Sequence, residues 1–529
     1  MHALPGSSTP EATTQAGSAT IELLADATRL HQAGRLEDAA PLYARVLERE
    51  ASHPSALYFA GALALRRGRL DEARALLLRA AEVRPDHPGT LAALAETLLR
   101  QDAPAAAAQL ADQVISVEAR HAPAWFLRGT ALLRLGDAAG AAASLRGCLR
   151  IAPMHADAHQ NLANALLDLD DLEGAVRHGR AAVALAPRSA GALAALGHVL
   201  IRAGRWAEAT KTCAAAIRLG PGQAQAHWTH GIACLLVGNW TQGWAEYEWR
   251  RHHPDFAADF QHPARDPARR WRGGGLAGET LLVAAEQGLG DALMLARYLP
   301  LLAARGARLR LECDAGLAGL LGQLAPCVAR GQAPADGLWV DQMSLPRLFA
   351  TTPGTVPAAG GYLRADPALV ASWAARLPAG RRIGLVWAGN PGHQDDRHRS
   401  LPAGLAGRLA AAAGAGVISL QLGARAAEAA GIPGLVDLSA GLTDWSQTAA
   451  VLANLDLLIS VDSAVAHCAG ALGVPTWLLL PFVPDWRWLP EAGARTPWYD
   501  SMRLFRQSQV RDWDGVIDAV GRALAARPG

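Results

Sequence analysis

Small residues mark the first half of the chain at a fixed interval. Ala39, Ala73, Ala107, Ala141, Ala175 and Ala209 stand 34 residues apart, and Gly243 continues the series. A second series in the same phase runs through Ala27, Gly61, Ala95, Gly129, Ala163, Gly197 and Gly231. Glycines follow in step at Gly34, Gly68, Gly136, Gly204 and Gly238, and prolines close the periods at Pro85, Pro153, Pro187 and Pro221. The pattern predicts one helical hairpin per period. Small residues sit where two helices cross, Gly or Asp makes the turn, and Pro breaks the chain before the next hairpin. No hairpin buries its apolar face alone, so the units stack into a right-handed solenoid with a concave groove, over about residues 20–255. Two independent series in phase separate this reading from a generic alanine-rich bundle.

This period and pattern resemble the tetratricopeptide repeat, whose groove takes a protein or peptide partner. The segment NWTQGWAEYEWRRHHPDF, residues 239–256, ends the array. Its aromatics Trp240, Trp244, Tyr247 and Trp249 fall near helical spacing, which predicts a capping helix that seals the last repeat. A polar stretch rich in Pro, Arg and Gly then runs to Gly275 as a linker.

Beyond Gly275 short β-rich runs alternate with Ala- and Leu-rich helical segments. The predicted strands are Thr280–Ala285, Arg308–Glu312 and Leu338–Asp341, then Ile383–Trp387, Val417–Gln421, Leu435–Leu438, Leu455–Val461 and Thr476–Leu480. Such alternation predicts parallel sheets with helical crossovers. The expected fold is therefore an α solenoid followed by α/β, with two Rossmann-like lobes. The expected layout is a disordered 1–19, a solenoid with its cap over 20–258, a linker over 259–275, a first lobe over 276–372 and a second over 373–529. The last helix, Trp513–Ala526, is expected to cross back onto the first lobe.

Composition narrows the function. A chain of 529 residues, 51% of them apolar, holds several cores. A formal net charge of +2 gives no reason to expect nucleic acid. Lys211 is the only lysine, so phosphate contacts fall to Arg, backbone N–H groups and helix N-termini. Six scattered cysteines without a C-x-x-C pair fit reduced thiols in the cytoplasm better than a disulfide frame or a zinc site. The N-terminus lacks the basic start and apolar run of a signal peptide. The most apolar stretch, Leu472–Val483, is broken by Gly473, Pro475 and Pro481, so no transmembrane segment is expected.

Ligands of open parallel sheets bind beyond the carboxyl ends of the strands, and three strand ends carry chemistry. The first is AEQGLGDALM, residues 285–294. Gly288 and Gly290 let the backbone approach a ligand, and a helix begins near Asp291. Asp291 serves there either as a general base for an acceptor hydroxyl or as a helix cap. The spacing is not a full dinucleotide fingerprint, since Leu293 stands at its third glycine, although Glu312 lies near the ribose-binding distance. The second is VWAGNPGHQDDRHRSLP, residues 386–402, which sets Asn390, His393, Arg397, His398 and Arg399 past a strand, suited to a diphosphate or to a solvated loop. The third is LISVDSAVAHCAGALGVP, residues 458–475. Asp462 ends an apolar strand, and Ser463 and His467 share one helix face near its start. A capping Asp and a packed His explain the same residues.

In this order the three loops resemble glycosyltransferase family 9, the bacterial heptosyltransferases. The resemblance covers roughly residues 276–525 and implies a GT-B fold and inverting transfer from a nucleotide-sugar. It places the catalytic base at Asp291 beside Gly290. It matches a D-[TS]-G-x-x-H motif to Asp462, Ser463, Ala464 and His467, with Ala464 where Gly is usual. It matches a phosphate-contacting loop to Asp395–Arg399, with Arg for the usual Lys. The continuation LLLPFVPDWRWL and the ending WYDSMRLFRQ are similar to a bacterial subgroup in which this domain follows tetratricopeptide repeats. What this implies is a metal-independent transferase without cofactor, the nucleotide-sugar being a co-substrate. Gly288, Gly290, Asn390, Arg397, Arg399, Gln421, Asp462, Ser463 and His467 would then line the donor site. The alternative is a non-catalytic repeat scaffold with a nucleotide- or glycan-binding domain. On either reading the repeats are expected to stand apart from the chemistry, so that a chain beginning near Gln225 keeps donor binding.

Overall fold

The computed structural model describes residues 10–256, 260, 265–334, 336–393, 395–414 and 416–526. They divide between Val199 and Leu200 into two compact units. Helices fill the first half. In antiparallel pairs they are α1 (Pro10–Gln32) with α2 (Leu36–Arg49), α3 (Pro54–Arg66) with α4 (Leu70–Val83), and α5 (Pro88–Arg100) with α6 (Pro104–Val117). Next come α7 (Ala122–Arg134) with α8 (Ala138–Ile151), and α9 (Ala156–Asp168) with α10 (Leu172–Leu185). The series ends with α11 (Ala190–Arg202), α12 (Trp206–Leu219), α13 (Ala224–Leu236) and α14 (Trp240–Tyr247). Of the segment expected to be disordered, residues 1–9 lie outside the described residues. The rest belongs to α1, which begins at Pro10.

In the first unit each marker residue has a physical cause. A Cβ on Gly61 would lie 2.7 Å from the Cγ of Leu77, so only a small residue lets α3 and α4 cross there. The turn glycines hold left-handed φ, +75° at Gly34 and at Gly68, while Asp102 and Asp170 take that place at φ 59°. A further series was not among the sequence marks. His53, His87, His121 and His155 are N-caps, each accepting on Nδ1 the backbone N–H three residues on, at 3.3, 3.1, 3.1 and 3.2 Å. A cap of this kind contributes about 1 kcal/mol, and a ring nitrogen accepts only while unprotonated.

The second unit adds two sheets, all of whose strands are parallel. The first runs in the order β3-β2-β1-β4, with β1 Thr280–Ala284, β2 Arg308–Cys313, β3 Cys327–Ala329 and β4 Leu338–Asp341. The second runs β10-β9-β8-β5-β6-β7. Its strands are β5 Ile383–Val386, β6 Val417–Ser419, β7 Val436–Asp437, β8 Leu457–Val461, β9 Thr476–Leu480 and β10 Met502–Arg506. β3 and β10 are additions to the expected strands.

Two expectations are corrected. The final helix, Trp513–Ala525, stays with its own lobe. Its stripe Trp513, Val516, Val520 and Leu524 joins the core formed by Leu385, Ile459 and Leu479 of the second sheet. The part of the expected linker after residue 264 is not a free tether; residues 259 and 261–264 lie outside the described residues. Trp271 donates its N–H to the Trp339 carbonyl (2.8 Å), and the Trp339 indole donates to the Asp266 carbonyl (2.7 Å). The stretch thereby runs along β4.

The capping helix does seal the last repeat. Trp240 stacks on Trp498 with centroids 5.1 Å apart, Trp244 meets Trp486 edge-on at 5.2 Å, and the Trp244 indole donates to the Thr351 carbonyl at 2.9 Å.

Candidate functional site

The order of each sheet reverses at one place, between β1 and β4 in the first and between β5 and β8 in the second. At such a switch point neighbouring connections leave in opposite directions and open a crevice at the strand ends. The three loops singled out by sequence follow β1, β5 and β8, so all three flank a switch point.

The loop after β1 is fixed from beneath by the repeat cap. Arg250, fully buried, donates to both carboxylate oxygens of Glu286 (2.9 and 2.8 Å) and to Ser344 Oγ (3.0 Å). Glu286 also accepts the Met343 N–H at 2.8 Å. Gln287 follows at φ 60°, a left-handed conformation that costs a residue with a side chain on the order of 1 kcal/mol. The Tyr247 hydroxyl of α14 holds it there, accepting from Gln287 Nε2 (3.0 Å) and donating to Oε1 (3.3 Å). Gly288, exposed, precedes the helix Leu289–Leu295 and donates its N–H to Asp291 Oδ2 at 3.1 Å. The other Asp291 oxygen pairs with Arg487, which reaches over from the segment after β9. The Asp291 side chain is 14% exposed and that of Arg487 10%.

Gly290 abuts the loop after β8. A Cβ there would lie 2.8 Å from His467 Cδ2 and 3.6 Å from the Cα of Ala464, so the glycine is required by close approach. Ser463 caps the helix Ala464–Leu472 by accepting the Ala466 N–H at 3.4 Å, and its hydroxyl lies 3.0 Å from Ser460 Oγ. His467 faces the Tyr499 hydroxyl with Nδ1 at 2.9 Å and Asp462 with Nε2 at 3.9 Å, and stacks on Trp488 with centroids 5.2 Å apart. Burial pushes the imidazole well below its ordinary value, and Arg487, Arg297 and Arg399 reinforce this, so the ring is neutral. Burial raises the Asp462 carboxyl, and the neighbouring Asp485 adds to it. Arg487 is held between Asp291 and Asp485 (2.6 Å) with its guanidinium 4.2 Å from the Trp486 ring; burial acts to lower its pKa, and the two carboxylates raise it. Nearby, buried Arg297 donates to the Trp498 carbonyl at 2.8 Å and packs on Tyr499, tying the two sheets' loops together.

The loop after β5 is held by the repeats from another side. Arg202, at the end of α11, pairs with Asp395 at 3.0 Å and meets His398 at 3.3 Å. Burial alone would raise the Asp395 carboxyl, but His398 and Arg202 outweigh it and lower it to about 2. Asn390 is exposed and accepts the Gly392 N–H at 3.0 Å, and His393 accepts that of Asp395 at 3.1 Å. Arg399 pairs with Asp396 at 3.2 Å and overlies Gly389. Arg397 is exposed.

Asp291, Gly290, Asp462, Ser463 and His467 thus come together, with Arg399 close enough to bias Asp462 and His467. Gln421 is committed elsewhere. It accepts the N–H groups of Trp387 (3.0 Å) and Ala388 (2.9 Å) and donates to the Ala388 and Leu422 carbonyls, so it shapes the end of β5. Glu312 is likewise no ribose ligand: fully buried, it takes Arg265 at 2.5 Å and the Gly331 N–H at 2.7 Å. Tyr247, Gln287, Asp485, Arg487 and Tyr499 were missed as site residues. The available signal was the run PDWRWL, a basic residue between two tryptophans just past a strand. Among the described residues no group of His, Cys, Asp and Glu is arranged to hold a metal ion, and no helix is long and apolar enough to cross a membrane.

Three stretches, residues 24–88, 92–156 and 161–224, match the family described as Tetratricopeptide repeat. A curated relative, Protein FlbA of Caulobacter vibrioides (strain ATCC 19089 / CIP 103742 / CB 15), is 29% identical over 321 residues, which are 54% of this chain and 52% of that protein. The chain therefore spans about half the length of this relative. Among solved structures, TTC0263, a thermophilic TPR protein in Thermus thermophilus, is 22% identical, covering 34% of this chain and 99% of its own, with a TM-score of 0.31. A tetratricopeptide repeat protein from Parabacteroides merdae ATCC 43184 is 14% identical, covering 45% and 94%, with a TM-score of 0.38. The chain carries a tetratricopeptide-repeat solenoid followed by an α/β region of two parallel sheets.

Proposed function

We propose that the α/β region is an inverting glycosyltransferase that moves a sugar from a nucleotide-sugar to an acceptor hydroxyl. The observation that carries it is the close approach of Gly290, beside Asp291 at the first sheet's switch point, to His467 and Ala464 at the second's. Asp291 is the one carboxylate of the group on the first lobe, where the acceptor would sit. It takes the hydroxyl proton as the acceptor oxygen forms its bond to the anomeric carbon. The bond from that carbon to the diphosphate breaks on the opposite face, and the nucleoside diphosphate leaves with the electron pair. Arg397 and Arg399 supply positive charge to the leaving group. Neutral His467 and Ser463 offer hydrogen bonds without adding charge. The reaction needs neither cofactor nor metal on this reading, and belongs in the cytoplasm, where nucleotide-sugars are made.

The repeats recruit the acceptor, a protein or peptide. Their surface holds a depression of about 380 Å³ between α2, α3 and α4, lined by Tyr43, Leu47, Leu63, Arg67, Leu76 and Arg79. The test is turnover of a panel of nucleotide-sugars by the purified chain. Asp291→Asn should lower transfer by about 100-fold or more, the range for loss of a general base. Wild-type turnover in that variant would reduce Asp291 to a cap. A second reading, a repeat scaffold that binds a nucleotide or glycan without turnover, is favoured by one observation: both Asp291 oxygens already have protein partners. Binding without hydrolysis or transfer across the panel would establish it.

A further inference from the structure

The second partner of Asp291 carries a consequence for how the site works. Asp291 and Arg487 lie 196 residues apart and come from different lobes. Arg487 faces two carboxylates with different nitrogens, Nη2 on Asp291 and Nη1 on Asp485. Its plane rests on Trp486, and the segment ends at Leu489 with φ 30°, strained for a residue with a side chain. The guanidinium is thus fixed by Asp485 and Trp486 on one side, while one N–H edge alone is spent on Asp291. A carboxylate paired in this way, with its other oxygen on the Gly288 N–H, meets an acceptor hydroxyl only in the directions that Arg487 and Gly288 leave open. The same edge of Arg487 suits a phosphate oxygen, which competes with carboxylate for planar, charge-assisted contacts.

We propose that Arg487 is an exchangeable counter-ion: it covers Asp291 in the empty protein and passes its Nη2 edge to the donor's diphosphate, which frees Asp291 for the acceptor. This rests on the glycosyltransferase reading and deepens it by fixing the order of events. Donor arrives first, and the base is exposed only afterwards. By linkage, the factor by which the Asp291–Arg487 pair weakens diphosphate binding equals the factor by which bound diphosphate weakens the pair.

The experiment is calorimetric titration of the full chain with uridine, guanosine, adenosine, cytidine and thymidine diphosphate. The proteins are wild type, Asp291→Asn, Arg487→Gln and the double variant. For the base that binds, Asp291→Asn should tighten the nucleoside diphosphate by about fivefold or more, the lower end of typical coupling. Arg487→Gln should weaken it by about tenfold or more, and in the double variant the gain from Asp291→Asn should vanish. Asn keeps an oxygen for the Gly288 N–H, so the decisive variant does not depend on Arg487→Gln folding. Unchanged or weaker binding by folded Asp291→Asn would overturn the exchange and leave the transferase reading standing. Failure of wild type to bind any of the five would overturn both.

Discussion

Hairpins α3–α4 and α13–α14 bear the same repeat marks, Gly61 with Ala73 in one and Gly231 with Gly243 in the other, yet they use their remaining positions in opposite ways. The first opens its second helix with an ion pair in water. Arg69 and Glu72 pair with side chains 58% and 50% exposed, and His53 caps the entry to α3. The second buries its charges. Glu246 is enclosed by His227 and His230. Burial alone would raise its carboxyl, but hydrogen bonds to His230 and His227 outweigh it and lower the group to about 2. Just beyond α14, Glu248 takes Arg270 at 2.7 Å and Arg250 takes Glu286. Gln223 stands at the cap position of α13 without making a side-chain cap. The repeat period therefore specifies only how two helices cross. Exposed ion pairs contribute little, whereas a buried one is tolerated only where each charge meets a fixed partner. Buried charge is what distinguishes a hairpin that supports a strand-end loop from one that supports the next hairpin.

The sharpest way to break that contrast is to remove one arginine from each. Arg250→Met leaves Glu286 buried without its cation and should cost the second unit about 3–5 kcal/mol, whereas Arg69→Ala should change stability by no more than about 0.5 kcal/mol. Urea unfolding followed by tryptophan fluorescence compares them, and equal losses would end the distinction. Truncation comes next. A chain beginning near Gln225 removes Arg202, which holds the Asp395 loop, and all of α12, so it should lose donor binding. Retained donor binding would show instead that the chemistry stands apart from the repeats, as the sequence predicts. A chain beginning at Pro187 retains every residue of the second unit and should bind within about twofold of the full chain, by titration with whichever nucleoside diphosphate the full chain binds.

Equivalent glycines give a finer test. On Gly61 a new Cβ meets a leucine side chain, while on Gly231 it lies 3.0 Å from the backbone nitrogen of Tyr247. Gly61→Ala should cost about 1–3 kcal/mol of stability by overpacking and leave turnover unchanged. Gly231→Ala should displace Tyr247 from Gln287 and lower kcat in addition. Equal kcat in the two variants would separate Tyr247 from the loop it holds.

The smallest effect is a pH dependence. Burial and Arg84 hold the His87 pKa below its ordinary value of 6.5. A depressed folded value means that stability is fully present above the unfolded pKa and is lost as pH falls from there through the folded one. His87→Asn retains a capping acceptor that does not titrate. The variant should match wild type at about pH 7.5 and be the more stable of the two at about pH 5.5. Parallel curves for the two proteins would remove His87 from the account.

The period was legible because it repeats, and the switch-point loops because apolar strands ending in Gly or Asp stand out locally. What stayed hidden depends on partners distant in the chain. β10 reads Met-Arg-Leu-Phe-Arg, with charges that disguise a strand buried on most of its length. Gln421 looks like a ligand at a strand end until the N–H groups of Trp387 and Ala388 are seen to occupy it. The stripe from Trp513 to Leu524 announces a buried helix, but nothing in its spacing says which sheet covers it. Arg487 sits in a run that marks itself as unusual, while its pairing with Asp291 is visible only in three dimensions.

The boundary between the units, at Val199, has a consequence for descent. Each repeat residue described above as holding a strand-end loop, from Arg202 to Arg250, lies downstream of it. Unequal recombination that adds or deletes a whole 34-residue period upstream leaves those residues and their spacing unchanged. A change of any other length puts the turn glycines and crossing residues out of phase. Lineages carrying this architecture should therefore differ in length before Val199 by multiples of one period and hold a constant length after it.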